Sequence, residues 1–172
     1  MTVLLVNLCN QQGRLFFRRW VGTRHASHVV NDFRKIAGIE SYSPSDNGSE
    51  LTARTNNEGW ETTYAARLKV SNLNSKDMLF VFSVGGGDAE RNISANIVNA
   101  LKLAKERDCK IRGVVGSDGG YTAKLADACV IVPAVYKDYI TQHTESFQAS
   151  VWHLLVSDPR LKQMSNKWES QK

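Results

Sequence analysis

The sequence has no apolar run long enough to cross a bilayer, which takes about 20 residues in a helix. It has no internal repeat either. An apolar stretch opens the chain, but it has neither a basic leader nor a small-residue cleavage site, so no secretion signal is predicted. These absences argue against a membrane or secreted protein, and we expect the chain in the cytoplasm.

Cysteine is scarce, with only Cys9, Cys109 and Cys129 in the whole chain. Their number is odd, and they are far apart without the close pairing typical of metal sites. A disulfide-stapled secreted fold is therefore not predicted, and we expect three reduced thiols.

A concentrated basic surface motif is also missing, although the formal net charge is +5. Lysine and arginine are scattered, and the one local concentration, Arg14, Arg18, Arg19 and Arg24, belongs to no helix-turn-helix, zinc-finger or RNA-binding pattern. Because a basic patch without such a motif is weak evidence, nucleic-acid binding is not expected.

The 172 residues are 42% hydrophobic and 23% charged, which is typical of one globular domain with a short appendage. Its most informative stretch is DMLFVFSVGGGDAERN, residues 77–92. Met78–Phe82 is predicted to be a strand buried on both faces. Three glycines then permit a tight turn, and apolar residues at helical spacing predict a helix from Asn92 to Arg107.

Such a strand, glycine turn and helix can bind phosphate, because the free N–H groups at the start of a helix favour an anion. The same pattern is equally compatible with a tight turn that binds nothing. Asp88 complicates the first interpretation, since its carboxylate would repel a phosphate unless Arg91 neutralises it or it points away. A cap on the following helix is an ordinary role for an aspartate at this position.

The rest of the chain alternates strand and helix patterns. Strands are predicted over 3–8, 15–17, 110–115 and 129–132, and helices over 25–36, 49–55, 60–73, 121–126 and 141–156. Thr141 is the expected cap of the last helix, and Asp158-Pro159 its end. The alternation predicts a parallel sheet with helices on both faces, whose ligands bind beyond the carboxyl ends of the strands.

Two predicted helices carry candidate functional side chains, His28 and Asp32 on one and Glu145 and His153 on the other. His28 and Asp32 are one helical turn apart, and Glu145 and His153 are two turns apart. Two imidazoles and two carboxylates suit a divalent metal or an acid–base pair. A surface His–Asp pair and a core histidine explain the same spacing without a function.

Five segments, taken in order, are similar to the sugar isomerase (SIS) family, and especially to the phosphoheptose isomerases. They are HASHVVNDFRK, the TNNEGW corner, the strand ending in Ser83 with its glycine loop, VVGSDGGYTAKLADACVIVP and HTESFQASVWHLL. The resemblance runs from Gly22 to Val156, and the DGG-to-LAD block is its most specific part. It implies an SIS domain over 22–157, an atypical or truncated segment over 1–21 and a polar tail over 158–172.

The resemblance implies an α/β fold, a three-layer sandwich around a five-stranded parallel sheet, assembled as a homo-oligomer, usually a tetramer with sites between subunits. It also implies a phosphorylated sugar as ligand and aldose–ketose isomerisation, with sedoheptulose 7-phosphate as the family's substrate.

Carried over by position, the family's metal or acid–base residues fall on His28, Asp32, Glu145 and His153, with zinc as the implied ion. The family's base on the first helix is a glutamate, shortened here to Asp32, and His153 is the implied acid. At Glu145 the heptose enzymes have a glutamine, whereas other SIS isomerases place a base near there. The implied substrate-binding residues are Ser83, Gly85, Gly86, Gly87, Arg91, Asn57 and Asp118.

Two departures from the family favour a second hypothesis, a non-catalytic SIS protein that binds a sugar phosphate or a protein partner such as a replication initiator. The glycine loop keeps only Ser83 of the family's hydroxyl groups. The family's Asn-Gly-Gly-Ser turn and its long N-terminal helix are also not recognisable before Gly22, so we expect a truncated or misread N-terminus. The absence of such a turn from every upstream reading frame would contradict that expectation.

Overall fold

A computed structural model describes residues 14–19, 23–165 and 167 of the chain. The predicted strand over 3–8 and Cys9 lie outside these residues. The strands are β1 (Leu15–Arg19), β2 (Ser41–Tyr42), β3 (Met78–Ser83), β4 (Lys110–Val115) and β5 (Ala128–Ile131). The helices are α1 (Thr23–Lys35), α2 (Gly48–Glu58), α3 (Thr63–Val70), α4 (Ala95–Glu106), α5 (Gly120–Leu125) and α6 (Ile140–Ser157), with a 3-10 helix (Lys137–Tyr139) before α6.

The strands form one parallel sheet of five strands in the order β2-β1-β3-β4-β5. The predicted α/β class with a parallel sheet is confirmed. β1 lies between β2 and β3, so the sheet extends into the segment before Gly22. β2 has only two residues and was not predicted, because so short a strand has no periodic pattern to detect.

β3 is buried along its whole length, because helices cover both faces of the sheet. Phe80 and Phe82 point to one face, where they pack with residues of α1 and α6. Leu79 and Val81 point to the other face, among residues of α3 and α4. This alternation matches the two-residue period of a strand and confirms the prediction of a fully buried strand.

Several predicted boundaries are wrong. α4 begins at Ala95 and not at Asn92, because Asn92 and Ser94 have φ values of 55° and 53°, which a right-handed helix does not allow. α2 continues through the predicted corner to Glu58, and Gly59 at φ 86° ends it. Its start is capped by Asn47, whose side chain accepts the Glu50 N–H at 3.2 Å.

The last helix, α6, agrees with the prediction in extent but not in its cap. Its N-cap residue is Tyr139, and Thr141 lies inside the helix. The helix ends at Ser157, where Asp158 takes an extended conformation ahead of Pro159 as predicted. No helix in the described part of the chain has the length and apolar character that a membrane span requires.

Candidate active site

α1 and α6 bring His28, Asp32 and His153 together on one face of the sheet. The Asp32 Oδ2 atom lies 3.4 Å from His28 Nε2 and 3.5 Å from His153 Nδ1. One candidate ligand atom from each side chain lies within 4.8 Å of the other two. The spacing of these residues was compatible with a functional group or with a lone surface pair. The geometry favours the functional group, because three side chains converge.

Burial distinguishes the members of this group. The Asp32 side chain is 8% exposed, whereas the side chains of His28 and His153 are 54% and 51% exposed. The carboxylate thus lies at the base of the group and the two imidazoles at its solvent side. The arrangement leaves room for a ligand to approach the histidines from outside.

Two further side chains contact Asp32. The Trp152 indole donates from Nε1 to Asp32 Oδ2 at 3.1 Å, and the Asn31 amide donates from Nδ2 to Oδ1 at 3.1 Å. Neither residue was predicted from the sequence to be a site residue. Trp152 directly precedes His153, but its apolar character alone indicates only a core residue.

Glu145 does not belong to this group of converging ligand atoms, although it shares α6 with His153. Its side chain is half-buried. Of the four residues proposed for metal or acid–base chemistry, the structure therefore brings together His28, Asp32 and His153.

The glycine loop after β3 packs directly on the loop after β4. The carbonyl of Gly86 accepts from Thr122 N at 2.9 Å and from Thr122 Oγ1 at 2.7 Å, and Gly87 O accepts from Tyr121 N at 2.7 Å. A Cβ on Gly86 would lie 2.1 Å from Gly119 O. Loop packing therefore explains Gly86 without a ligand.

A cavity of about 320 Å³ opens between these two loops, at the carboxyl ends of β3 and β4. Gly85, Gly87, Arg91 and Asp118, four of the predicted substrate-binding residues, line it. Ser83, Gly86 and Asn57 are not among its lining residues, and neither are His28, Asp32 and His153. The remaining lining residues, which were not predicted as binding residues, are Asp88, Ala89, Glu90, Ile93, Ser117, Gly120, Tyr121 and Lys124.

Like Gly86, the other two predicted residues that do not line the cavity have structural contacts. Ser83 is buried, and its Oγ accepts the Gly86 N–H at 3.0 Å. Asn57 is exposed on α2, where its Oδ1 accepts from the side chain of the adjacent Asn56. Lys124 lines the cavity and was not predicted. Its position one turn into α5, after the DGG loop, is the feature of the sequence that indicates a cation at this site.

Asp88 fills part of the anion-binding capacity of the glycine loop. Its Oδ1 accepts the Glu90 N–H at 2.9 Å and the Arg91 N–H at 3.0 Å. The Arg91 backbone N–H is the main reason that the pKa of Asp88 is lowered. The expected cap on the following helix is wrong, since Asp88 closes its own turn well before α4 begins.

The charges around the cavity are mixed. Arg91 and Lys124 are its cations, and Asp88, Glu90 and Asp118 are its carboxylates. Arg91 is 80% exposed and lies 3.8 Å from Asp88, so its guanidinium is only loosely held. An anion in this cavity would meet two cations and three negative groups.

No family model matches the chain. The lincomycin biosynthesis protein LmbN of Streptomyces lincolnensis is 32% identical over 136 residues, which cover 76% of this chain and 49% of LmbN. The phosphoheptose isomerase of a Nitratiruptor species is 31% identical over 134 residues, which cover 77% of this chain and 65% of that enzyme. The chain thus spans about half of one relative and just under two thirds of the other.

Among solved structures, phosphoheptose isomerase GmhA from Neisseria gonorrhoeae superposes with a TM-score of 0.71 at 22% identity, covering 90% of this chain and 80% of GmhA. The fold is therefore that of the sugar isomerase (SIS) proteins. In sequence as well as in fold, the chain is therefore similar to the phosphoheptose isomerases.

Proposed function

We propose that the protein interconverts an aldose phosphate and a ketose phosphate, as a phosphoheptose isomerase acting on sedoheptulose 7-phosphate. The observation that carries this proposal is the convergence of His28, Asp32 and His153, with both histidines within 3.5 Å of one carboxylate oxygen. Similarity in sequence and fold to phosphoheptose isomerases supports the substrate class.

The reaction moves a proton between adjacent carbons through an enediol. It needs a base for the proton next to the carbonyl and a donor for the carbonyl oxygen. His153 is the proposed acid, because its imidazole is half-exposed and lies beside a carboxylate. The proposed base is Asp32 or Glu145, and variants of these two residues distinguish them.

The three converging side chains suit zinc, which prefers imidazole nitrogen and carboxylate oxygen and often takes three protein ligands in catalytic sites. His28, Asp32 and His153 would hold the ion, and Glu145 is the candidate fourth ligand implied by the family. A bound zinc ion would polarise the substrate oxygens. The protein's own contribution is to orient the imidazoles around Asp32.

The cavity between the glycine loops is the proposed place for the phosphate. Gly85 and Gly87 expose backbone there, and Arg91 and Lys124 supply positive charge. Arg91 can turn from Asp88 toward a ligand, since its side chain is 80% exposed.

A homo-oligomer is the proposed active form. Support comes from apolar side chains exposed along β5, the following loop and α6, namely Ile131, Val135, Tyr136, Tyr139, Phe147 and Leu154. An apolar groove of about 480 Å³ lies in the same region. Contact with a second copy would remove this surface from water.

The test is an isomerisation assay on sedoheptulose 7-phosphate, run on metal-free protein and again with added zinc. We expect turnover by the parent protein and a loss of at least about 10²-fold in His153→Ala, the usual scale for a general acid. Circular dichroism of both proteins controls for folding. A folded parent protein without turnover in either condition would contradict the proposal.

A non-catalytic SIS protein that binds a sugar phosphate or a protein partner is the second candidate. It is favoured by Asp88, whose carboxylate already accepts two loop N–H groups. Calorimetric binding of sedoheptulose 7-phosphate without turnover would support the sugar-binding form. If the protein shows neither turnover nor binding of sedoheptulose 7-phosphate, the form that binds a protein partner is favoured.

A further inference from the structure

Trp152 lies directly beneath the group of His28, Asp32 and His153. It is 2% exposed, and its indole Nε1 donates to Asp32 Oδ2 at 3.1 Å. The ring is held by edge-on contacts with Phe82 at 6.1 Å and with His28 at 5.7 Å between centroids. These ring contacts and the hydrogen bond therefore hold the indole with its N–H directed at the carboxylate.

The chemistry of the indole gives this contact a direction. An indole N–H can only donate, and an ionised carboxylate can only accept. A hydrogen bond to a charged acceptor is also stronger than one between neutral groups. Buried donors are nearly always satisfied, so the Trp152 N–H is expected to keep its hydrogen bond. This bond restrains the position of Asp32 Oδ2.

The same oxygen faces both histidines. His28 Nε2 and His153 Nδ1 lie 3.4 Å and 3.5 Å from Oδ2, whereas Oδ1 accepts from Asn31. The two oxygens of Asp32 are thereby distinguished. The one that Trp152 holds is the one that any ligand of the histidines would meet.

We propose that Trp152 is a positioning residue that fixes the Asp32 carboxylate between His28 and His153. The inference rests on the proposed function for its consequence in catalysis, but the contact itself is independent of turnover. An aspartate has only two side-chain torsions to set, and the hydrogen bond from Trp152 to Oδ2 restrains them together with the one from Asn31 to Oδ1. Partners that orient a ligand in this way commonly control metal affinity or activity by about 10–100-fold.

The direct test is NMR of protein labelled with ¹⁵N-tryptophan. Trp152→Phe identifies the Trp152 indole signal, and Trp60→Phe is the matched control, because Trp60 packs edge-on against Tyr64, away from the group. We expect the Trp152 indole proton to resist exchange with solvent, and to shift and lose that protection in Asp32→Ala. An unchanged, unshifted signal in Asp32→Ala would overturn the proposal.

Zinc affinity and kinetics give a second readout through a double-mutant cycle. We expect Trp152→Phe to weaken zinc binding and lower kcat by about 10–100-fold with little change in KM. In the Asp32→Ala background, the same substitution should change zinc affinity less than about twofold. An equal loss in both backgrounds would indicate a general packing role and refute positioning.

The two hypotheses fail differently. A parent protein without turnover, whose Trp152 signal still depends on Asp32, contradicts the isomerase and supports the positioning contact. Normal turnover with a Trp152 signal that ignores Asp32 does the reverse.

Discussion

Asp32 is the residue on which the candidate site depends. It is buried, yet its carboxylate is surrounded by donors, with Trp152 and Asn31 as hydrogen-bond partners and two imidazoles nearby. A buried carboxylate without such partners would be costly. The arrangement therefore explains how this charge is accommodated beneath the two histidines.

Asparagine at position 32 tests the assignment of the base. We expect Asp32→Asn to lower kcat/KM by at least about 10²-fold, because the amide cannot take the proton. Glu145→Gln introduces the glutamine of the heptose enzymes, and we expect it to stay within about threefold of the parent, below the usual scale of a lost base. Steady-state kinetics on sedoheptulose 7-phosphate measure both, and the reverse ranking would assign the base to Glu145.

Cys109 offers a test of burial that is independent of the site. Burial raises the pKa of its thiol from 9.0 to about 12, and Sγ donates to the Asp77 carbonyl at 3.2 Å. The thiol is neutral in the folded protein where the unfolded chain already loses its proton. Its contribution to stability is therefore present below about pH 9 and is lost as the pH rises toward about 12.

We accordingly expect slow alkylation of Cys109 by iodoacetamide at about pH 8 in the folded protein and rapid alkylation in urea. Mass spectrometry of the labelled peptides measures the rates. Cys129, whose pKa is raised to about 11 by burial, is the internal comparison. Labelling of Cys109 at equal rates with and without urea would contradict its burial.

At the scale of elements, the two glycine loops act as one packed unit. Gly120 would place a Cβ 2.2 Å from Gly85 O, and Gly86 would place one 2.1 Å from Gly119 O. Each loop thus needs a glycine where the backbone of the other crosses it. The cavity lies beside this close approach of the two backbones, at the ends of β3 and β4.

Adjacent glycines make a matched pair of variants. Gly86→Ala is expected to lower the free energy of unfolding by about 2 kcal/mol or more, because φ is 70° and the new methyl group meets backbone. Gly85→Ala is expected to stay within about 0.5 kcal/mol, since nothing lies within 4 Å of its Cβ position. Urea denaturation of both variants measures the difference, and equal losses would contradict this account of loop packing.

At the scale of the whole molecule, the sheet is well covered on both faces, but its β5 edge is not. β5 is an outer strand, and Ile131 is 46% exposed on it. On neighbouring α6, Phe147 and Leu154 are 56% and 61% exposed. Large apolar side chains this close together favour association.

We expect Phe147→Glu to shift the protein to a smaller assembly, because burying a charge in an apolar contact is unfavourable. Light scattering coupled to size exclusion measures the mass. Val70→Glu is the control, since Val70 is 63% exposed at the end of α3 and outside this surface. A monomeric parent protein, or a parent mass retained in Phe147→Glu, would contradict a role of this surface in assembly.

Local patterns predicted β3 and β4 well, because a short continuous apolar run bounded by turn residues is typical of a buried strand. They failed around residues 88–94, where Asn92 and Ser94 adopt a left-handed conformation and Asp88 closes a separate turn. Apolar spacing is blind to such backbone choices. The segment therefore resembled the first turn of a helix.

The sequence by itself determined the alternation of strands and helices, the buried central strand and the pairing of His28 with Asp32, since all three depend on neighbours within a few turns. Only the tertiary structure decided that His153 and Trp152 meet Asp32, from 120 positions away in the case of Trp152. It also decided that Gly86 supports another loop and that Asp88 occupies N–H groups of its own loop. These outcomes depend on how two helices and two loops pack, which periodicity does not encode.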